Sequence, residues 1–156
     1  MIGSINTKYG KLRYKNGRKN PYELQTIFIG NEMFGGWQIG HTDPITYANK
    51  YNFFVKELKK LNKKLRFIAV GACSDHFGHW NEYVLKNIKE KIDELSVHYY
   101  SIRTEKDKKH PDYKTRYIPT VAAATEVRLM LDRTIKEIKK YSNKNIKIAF
   151  DEWNTY

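Results

Sequence analysis

Short apolar runs alternate with amphipathic segments along most of this chain, and this alternation constrains the fold more than any other feature. The apolar runs are predicted to be β-strands, at residues 26–29, 65–70, 95–97 and 146–150. The segments between them carry apolar residues at spacings of three and four, which is typical of helices with one buried face. Because the strands are apolar throughout rather than alternating, the order βαβαβαβ favours a parallel sheet covered by helices.

Local signals place the helices more closely. Asp43-Pro44 is typical of a helix start, with Asp as the N-cap and Pro at the first helical position. Apolar spacing then predicts three helices, over residues 45–58, 80–92 and 121–138. Residues 1–22 and 101–118 are polar or charged, and they are predicted to be loops.

Chain length separates two architectures that this element order allows. Four strands with three crossovers make about half of a (β/α)8 barrel, and 156 residues are fewer than the roughly 200 to 250 that a whole barrel needs. An open doubly wound sheet is the alternative, and it is disfavoured because no glycine-rich phosphate loop opens a helix. The predicted fold is therefore α/β, a partial (β/α)8 barrel over residues 1–156.

The basic composition raises the question of a nucleic-acid or membrane partner. The formal net charge is +12, but the lysines fall on the polar sides of the amphipathic segments, and no nucleic-acid motif accompanies them. No apolar run approaches the length of a membrane span. Neither partner is therefore predicted, although a noncatalytic basic binding module stays open as an alternative.

Two glutamates closely follow predicted strands. Glu32 comes after the strand at 26–29, and Glu152 after the strand at 146–150. In parallel α/β folds, the C-terminal ends of the strands converge on one mouth. Two carboxyl groups in such a mouth, one protonated and one ionised, are what cleavage of a glycosidic bond requires. Both glutamates are also compatible with ordinary surface residues, so position alone leaves paired catalysis as a hypothesis.

A series of short stretches extends over nearly the whole chain and is more specific evidence of function than the two glutamates. The stretches are residues 10–16, 21–22, 29–33 (Ile-Gly-Asn-Glu-Met), 37–40 (Trp-Gln-Ile-Gly), 68–71, 92–100 and 149–154. In this order and spacing, residues 11–156 resemble the middle of an α-L-arabinofuranosidase of glycoside hydrolase family 51. The resemblance implies strands β4–β7 of a (β/α)8 barrel, with Glu32 as acid/base and Glu152 as nucleophile of a retaining mechanism that needs no metal or other cofactor.

The resemblance also implies substrate-binding residues. Asn31 resembles the asparagine that binds the sugar 2-hydroxyl, and His98 and Tyr100 match the histidine and tyrosine that follow the sixth strand, near the nucleophile. A phenol donating to Glu152 would help to keep that carboxylate oriented. Trp37 is a candidate wall for stacking against the sugar, with packing as an equal alternative.

Other residues of chemical interest are assigned structural roles. Trp80 and Trp153 are predicted to pack, and Cys73, the sole cysteine, is predicted to be a small buried residue. His76 and His79 lack a clear third ligand, so no metal site is predicted.

The implied activity is removal of terminal α-L-arabinofuranosyl residues from arabinose-containing polysaccharides or oligosaccharides. Another retaining glycosidase on the same barrel, such as an endoglucanase or xylosidase, is the alternative within hydrolases. The family's first three strands, its eighth strand and its β-sandwich have no counterpart in residues 1–156. The chain is therefore expected to be a fragment of the catalytic domain, inactive alone, from a parent enzyme that is cytoplasmic and homo-oligomeric.

Overall fold

The computed structural model describes residues 2–73, 77–101 and 113–155, with side chains in the last range from residue 117 onward. Four parallel strands form one sheet in the order β1-β2-β3-β4. They are β1 (Thr26–Ile29), β2 (Arg66–Val70), β3 (Glu94–Tyr100) and β4 (Lys147–Asn154). The helices are α1 (Lys8–Lys15), α2 (Pro44–Leu61), α3 (Trp80–Asn87) and α4 (Tyr113–Tyr141). The predicted parallel α/β sheet is confirmed.

Helix α2 begins where its sequence signal places it. The Asp43 carboxylate accepts hydrogen bonds from the backbone N–H groups of Ile45, at 3.0 Å, and Thr46, at 2.9 Å. Hydrogen bonding to Thr46, and then to Ile45, lowers the pKa of Asp43. Pro44 occupies the first turn, where its missing N–H leaves no helical bond unmade. The cap therefore fixes the start of the helix that covers β1 and β2.

The core lies between the sheet and helices α2 and α3, with a smaller cluster beneath α4. The main cluster joins residues of α2, β2 and α3, among them Tyr51, Phe67 and Val84, each fully buried. Val97 and Tyr99 of β3 pack with Met130 of α4 in the smaller cluster. The helices thus bury one face of the sheet, as the apolar spacing predicts.

One buried tyrosine joins the ends of β1 and β2. The Tyr47 hydroxyl donates to the Ile29 carbonyl, at 2.7 Å, and accepts from the Val70 backbone N–H, at 2.8 Å. Its side chain is 3% exposed, and burial raises the pKa of Tyr47 above its ordinary value although the Val70 N–H opposes this. This residue fixes the position at which β1 gives way to the turn that carries Glu32.

The prediction of a loop over residues 1–22 is wrong, because helix α1 lies within it. Thr7 caps this helix by accepting from the Gly10 N–H, at 3.1 Å. Arg13, 5% exposed, donates to the carbonyls of Gly3, Arg18 and Lys19. The helix is held by a cap and one buried guanidinium rather than by an apolar face, so apolar periodicity does not reveal it.

Several element boundaries also differ from their predictions. Helix α4 begins at Tyr113, inside the predicted loop, and continues through Pro119. Helix α3 ends at Asn87, earlier than the apolar spacing indicates, and β4 runs on to Asn154. No described helix is both long and apolar enough to cross a membrane.

Candidate active site

The turn after β1 presents Glu32. Gly30 has φ of +95° and Glu32 has φ of 44°, so the chain reverses through left-handed conformations that are unusual for a residue with a side chain. The Glu32 Oε2 atom accepts from Trp37 Nε1, at 2.7 Å. Gly35 permits this contact, since a Cβ there would lie 2.3 Å from the indole ring. The turn therefore fixes one carboxyl oxygen and leaves the other directed at β3.

Strand β3 supplies a polar face. Ser96, His98 and Tyr100 alternate along it, and alternate residues of a strand share one face. His98 is 8% exposed, and its Nδ1 lies 2.9 Å from Glu32 Oε1. The Tyr100 hydroxyl donates a short hydrogen bond to Glu152 Oε1. One strand therefore contacts both glutamates.

Strand β4 carries a β-bulge at the site. Val97 pairs with Phe150 and His98 with Glu152, which leaves Asp151 as an extra residue on β4. Neighbours on a regular strand point to opposite faces, but here both acids reach the same face. Asp151 Oδ1 accepts from Ser96 Oγ, at 2.9 Å, and Glu152 Oε2 lies 3.4 Å from His98 Nδ1. The bulge is what brings two consecutive carboxylates to His98.

The two glutamates lie close together across the sheet. One carboxyl oxygen from each of them and one ring nitrogen of His98 all lie within 4.8 Å of one another. Retaining glycosidases hold their two carboxyl groups about 5 to 5.5 Å apart, and inverting enzymes hold them about 6.5 to 9.5 Å apart. The short separation matches the retaining arrangement. Among the described residues, this trio is also the group whose donor atoms could jointly hold a metal ion.

The structure brings most of the sequence-predicted site residues together. Glu32, His98, Tyr100 and Glu152 form one connected group, and Trp37 joins it through its indole N–H. The Trp37 ring is 63% exposed, so one of its faces is available to a ligand. Asn31 sits in the same turn with an exposed side chain, which no described contact ties to the group.

The residues assigned to packing have different outcomes. Trp80 is 2% exposed and donates from Nε1 to the Val70 carbonyl, at 2.9 Å, so its packing role is confirmed. Trp153 is 65% exposed and stacks on Phe150, so it is not a core residue. Cys73 is only half-buried, beside the smaller cluster. The prediction of no metal site at His76 and His79 concerns a residue, His76, that lies outside the described part of the chain.

Sequence reasoning missed two members of the group, Ser96 and Asp151. Ser96 was detectable, because it lies two residues before His98 on the same strand and therefore shares its face. Asp151 was not, because regular alternation places it opposite Glu152 and only the bulge reverses that expectation.

Comparison with known proteins identifies the family. The family model of the α-L-arabinofuranosidase 1 domain matches residues 1–118. This chain belongs to the α-L-arabinofuranosidases of glycoside hydrolase family 51. Its relatives include enzymes named intracellular exo-α-(1→5)-L-arabinofuranosidase, one from Acetivibrio thermocellus and one from Bifidobacterium longum. Both are 30% identical, over 96% and 99% of this chain respectively, and the chain spans 30% and 28% of their lengths.

Solved structures of the family share the fold. The α-L-arabinofuranosidase from Thermotoga maritima, solved as an arabinose complex, superposes with a TM-score of 0.76 at 32% identity, covering 97% of this chain and 29% of that one. The family 51 enzyme from Thermotoga petrophila gives a TM-score of 0.72, also at 32% identity, with the same coverage. The four-stranded sheet of this family 51 chain is accordingly part of a (β/α)8 barrel.

Proposed function

We propose that this chain carries the catalytic pair of a retaining α-L-arabinofuranosidase, which removes terminal α-L-arabinofuranosyl residues from arabinose-containing polysaccharides or oligosaccharides. The observation that carries the proposal is the approach of the Glu32 and Glu152 oxygens to within 4.8 Å around His98. That separation suits attack by one carboxylate on the anomeric carbon while the other protonates the leaving oxygen. The names of the family 51 relatives supply the sugar.

In the first step, Glu152 acts as the nucleophile. Its carboxylate oxygen bonds to the anomeric carbon while the bond to the aglycone oxygen breaks, and Glu32 gives its proton to that oxygen. Tyr100 donates to Glu152 Oε1 and so holds the carboxylate in one orientation. Oε2 of Glu152 is then the oxygen available for attack, and it faces the same space as Glu32.

In the second step, Glu32 acts as the base. It takes a proton from water, and the water oxygen bonds to the anomeric carbon as the ester bond to Glu152 breaks. Two inversions at one carbon give retention of configuration. Trp37 holds Glu32 Oε2 through its indole N–H, so Oε1 is the oxygen positioned for both proton transfers.

The proposed sugar contacts come from side chains that are exposed beside the two glutamates. Asn31, next to Glu32 in the same turn, is placed to hydrogen-bond a ring hydroxyl, and the open face of Trp37 offers a surface for stacking. Because the chain spans about 30% of its relatives' length, we propose that turnover needs the rest of the barrel and that residues 1–156 alone are inactive. The relatives' names favour a cytoplasmic enzyme.

The proposal is tested in a complete barrel. A chimera in which residues 1–156 replace the matching segment of the Thermotoga maritima enzyme supplies the missing parts. We expect it to release 4-nitrophenol from the α-L-arabinofuranoside in preference to the β-D-glucoside and β-D-xyloside. In it, Glu152→Ala should lower kcat/KM by at least about a thousandfold, whereas Glu57→Ala, a glutamate on α2 that pairs with Lys60, should leave kcat/KM unchanged.

Azide assigns the two roles. In Glu32→Ala, azide can attack the covalent intermediate without a base, so the arabinofuranosyl azide should retain the substrate's configuration. In Glu152→Ala, azide takes the place of the carboxylate, so the product should be inverted. Full activity of Glu152→Ala, or preference for glucosides or xylosides, would overturn the proposed function.

A further inference from the structure

Two residues of the site have no part in the two steps above. Ser96 is 6% exposed, and its hydroxyl lies between two groups: it donates to Asp151 Oδ1, at 2.9 Å, and contacts His98 Nε2, at 3.2 Å. Asp151 lies 3.8 Å from the same nitrogen, too far for a direct hydrogen bond. His98 Nε2 therefore meets Asp151 only through the serine hydroxyl.

The number of protons available sets the direction of the hydrogen bonds among Ser96, Asp151 and His98. A serine hydroxyl has one proton, and an ionised carboxylate can only accept, so the Ser96 proton points to Asp151. The hydroxyl oxygen can then only accept from His98, which places a proton on Nε2. With that proton held there, Nδ1 of a neutral imidazole presents a lone pair to Glu32 Oε1, 2.9 Å away.

The opposite tautomer would disable the acid. If the imidazole carried its single proton on Nδ1, a proton on Oε1 would face an N–H group at hydrogen-bond distance and would find no lone pair to share. Oε2 already accepts from the Trp37 indole, which favours Oε1 as the position of the acid proton. The Glu152 Oε2 atom lies 3.4 Å from His98 Nδ1, and its negative charge attracts the proton that Nδ1 shares with Glu32 Oε1.

We propose that Ser96 and Asp151 are positioning residues, which hold the His98 proton on Nε2 so that Nδ1 and Glu32 Oε1 share the proton that the leaving group receives. This inference rests on the proposed function for the role of Glu32. It predicts a selective defect. Loss of the serine hydroxyl impairs the step in which Glu32 acts as an acid, and it spares substrates whose leaving groups need no proton.

Nuclear magnetic resonance tests the tautomer without requiring activity. The chain has five histidines, so 15N labelling of histidine gives a countable set of imidazole signals, and His98→Gln assigns the relevant one. At a pH where the imidazoles are neutral, we expect protonated Nε2 and unprotonated Nδ1 for His98. Ser96→Ala and Asp151→Ala should each lower the Nε2-H to Nδ1-H ratio by about tenfold, the effect of losing one hydrogen bond. Ser96→Thr, which keeps the hydroxyl, should preserve the ratio.

A serine just outside β3 gives the matched control. Ser101 directly follows the strand, its side chain is not exposed, and Ser101→Ala should leave the His98 signals unchanged. A His98 proton on Nδ1 in the unsubstituted chain, or a ratio unaffected by both Ser96→Ala and Asp151→Ala, would overturn the proposal. If Ser96→Ala does not fold, the more exposed Asp151→Ala decides the question.

Kinetics in the chimera test the consequence. Ser96→Ala should lower kcat/KM about tenfold for phenyl α-L-arabinofuranoside, a poor leaving group, and less than about twofold for the 2,4-dinitrophenyl substrate. Equal losses on both substrates would overturn the positioning role. Failure of the proposed function is distinguishable, because it would appear as activity that survives Glu152→Ala while the tautomer of His98 stays as described.

Discussion

Replacing Tyr47 by Phe removes one oxygen from the interior and leaves the aromatic ring in place. That oxygen donates to the Ile29 carbonyl at the end of β1 and accepts from the Val70 N–H at the end of β2. The site is 3% exposed, so water has little access to replace it. The substitution therefore tests whether the two strand ends next to Glu32 depend on a side-chain bridge.

The expected cost follows from the two partners. The Val70 N–H has its hydrogen committed to Tyr47, so it would be left buried without an acceptor, at a cost of about 1–3 kcal/mol. Loss of the bond to the Ile29 carbonyl adds about 1 kcal/mol. Tyr47→Phe should therefore lower the free energy of unfolding by about 2–4 kcal/mol.

Urea unfolding followed by circular dichroism measures this change. Tyr83→Phe is the matched control, because that side chain is 41% exposed, and the two variants should differ by the full amount. Tyr51→Phe gives an intermediate reference, since the one bond that its hydroxyl makes among the described residues is to the Lys91 carbonyl. A Tyr47→Phe variant as stable as Tyr83→Phe would refute the reasoning, because it would show that both backbone groups find other partners.

Two further outcomes concern the same core. Burial raises the pKa of both Tyr47 and Tyr51 above the usual value of 10.0, so the folded chain holds protons that the unfolded chain loses. Stability should be complete below pH about 10 and fall above it by up to about 1.4 kcal/mol per pH unit for each tyrosine. Absorbance from two of the 12 tyrosines should then appear only as circular dichroism is lost, and ionisation of all 12 in the intact fold would contradict this. Gly71→Ala would place Cβ 2.6 Å from the Ser96 carbonyl oxygen, so it should lower the free energy of unfolding in urea by about 1–3 kcal/mol. Gly36→Ala is the control, because a Cβ at Gly36 lies in open space and should leave stability nearly unchanged. Equal urea midpoints for the two variants would count against the close approach at Gly71.

The sequence was most informative where local and long-range signals agree. The N-cap Asp43, the apolar strands and the convergence of Glu32 and Glu152 were all predictable, because parallel strands present their C-terminal ends together. Helix α1 was not, because one buried arginine and a threonine cap replace the apolar face that periodicity detects. The early start of α4 was also missed, since the charged residues that precede it are equally typical of a loop.

The residues of the site likewise divide into those that the sequence predicts and those that it does not. His98 and Tyr100 were predicted from matched spacing, and Ser96 follows from strand alternation once β3 is recognised. Asp151 could not be predicted, because its orientation depends on the pairing between β3 and β4 rather than on any property of β4 alone. A strand pairing that skips one residue of β4 leaves no local pattern among the apolar and acidic side chains of that strand.

The extra residue in β4 has a consequence for anyone who transplants this motif. Moving the Asp151-Glu152 dipeptide onto a scaffold with evenly paired strands would send one of the two acids into the helical layer. Deleting a residue upstream in the strand would shift the facing of every position after it. A graft must therefore inherit the offset between the two strands together with the acids.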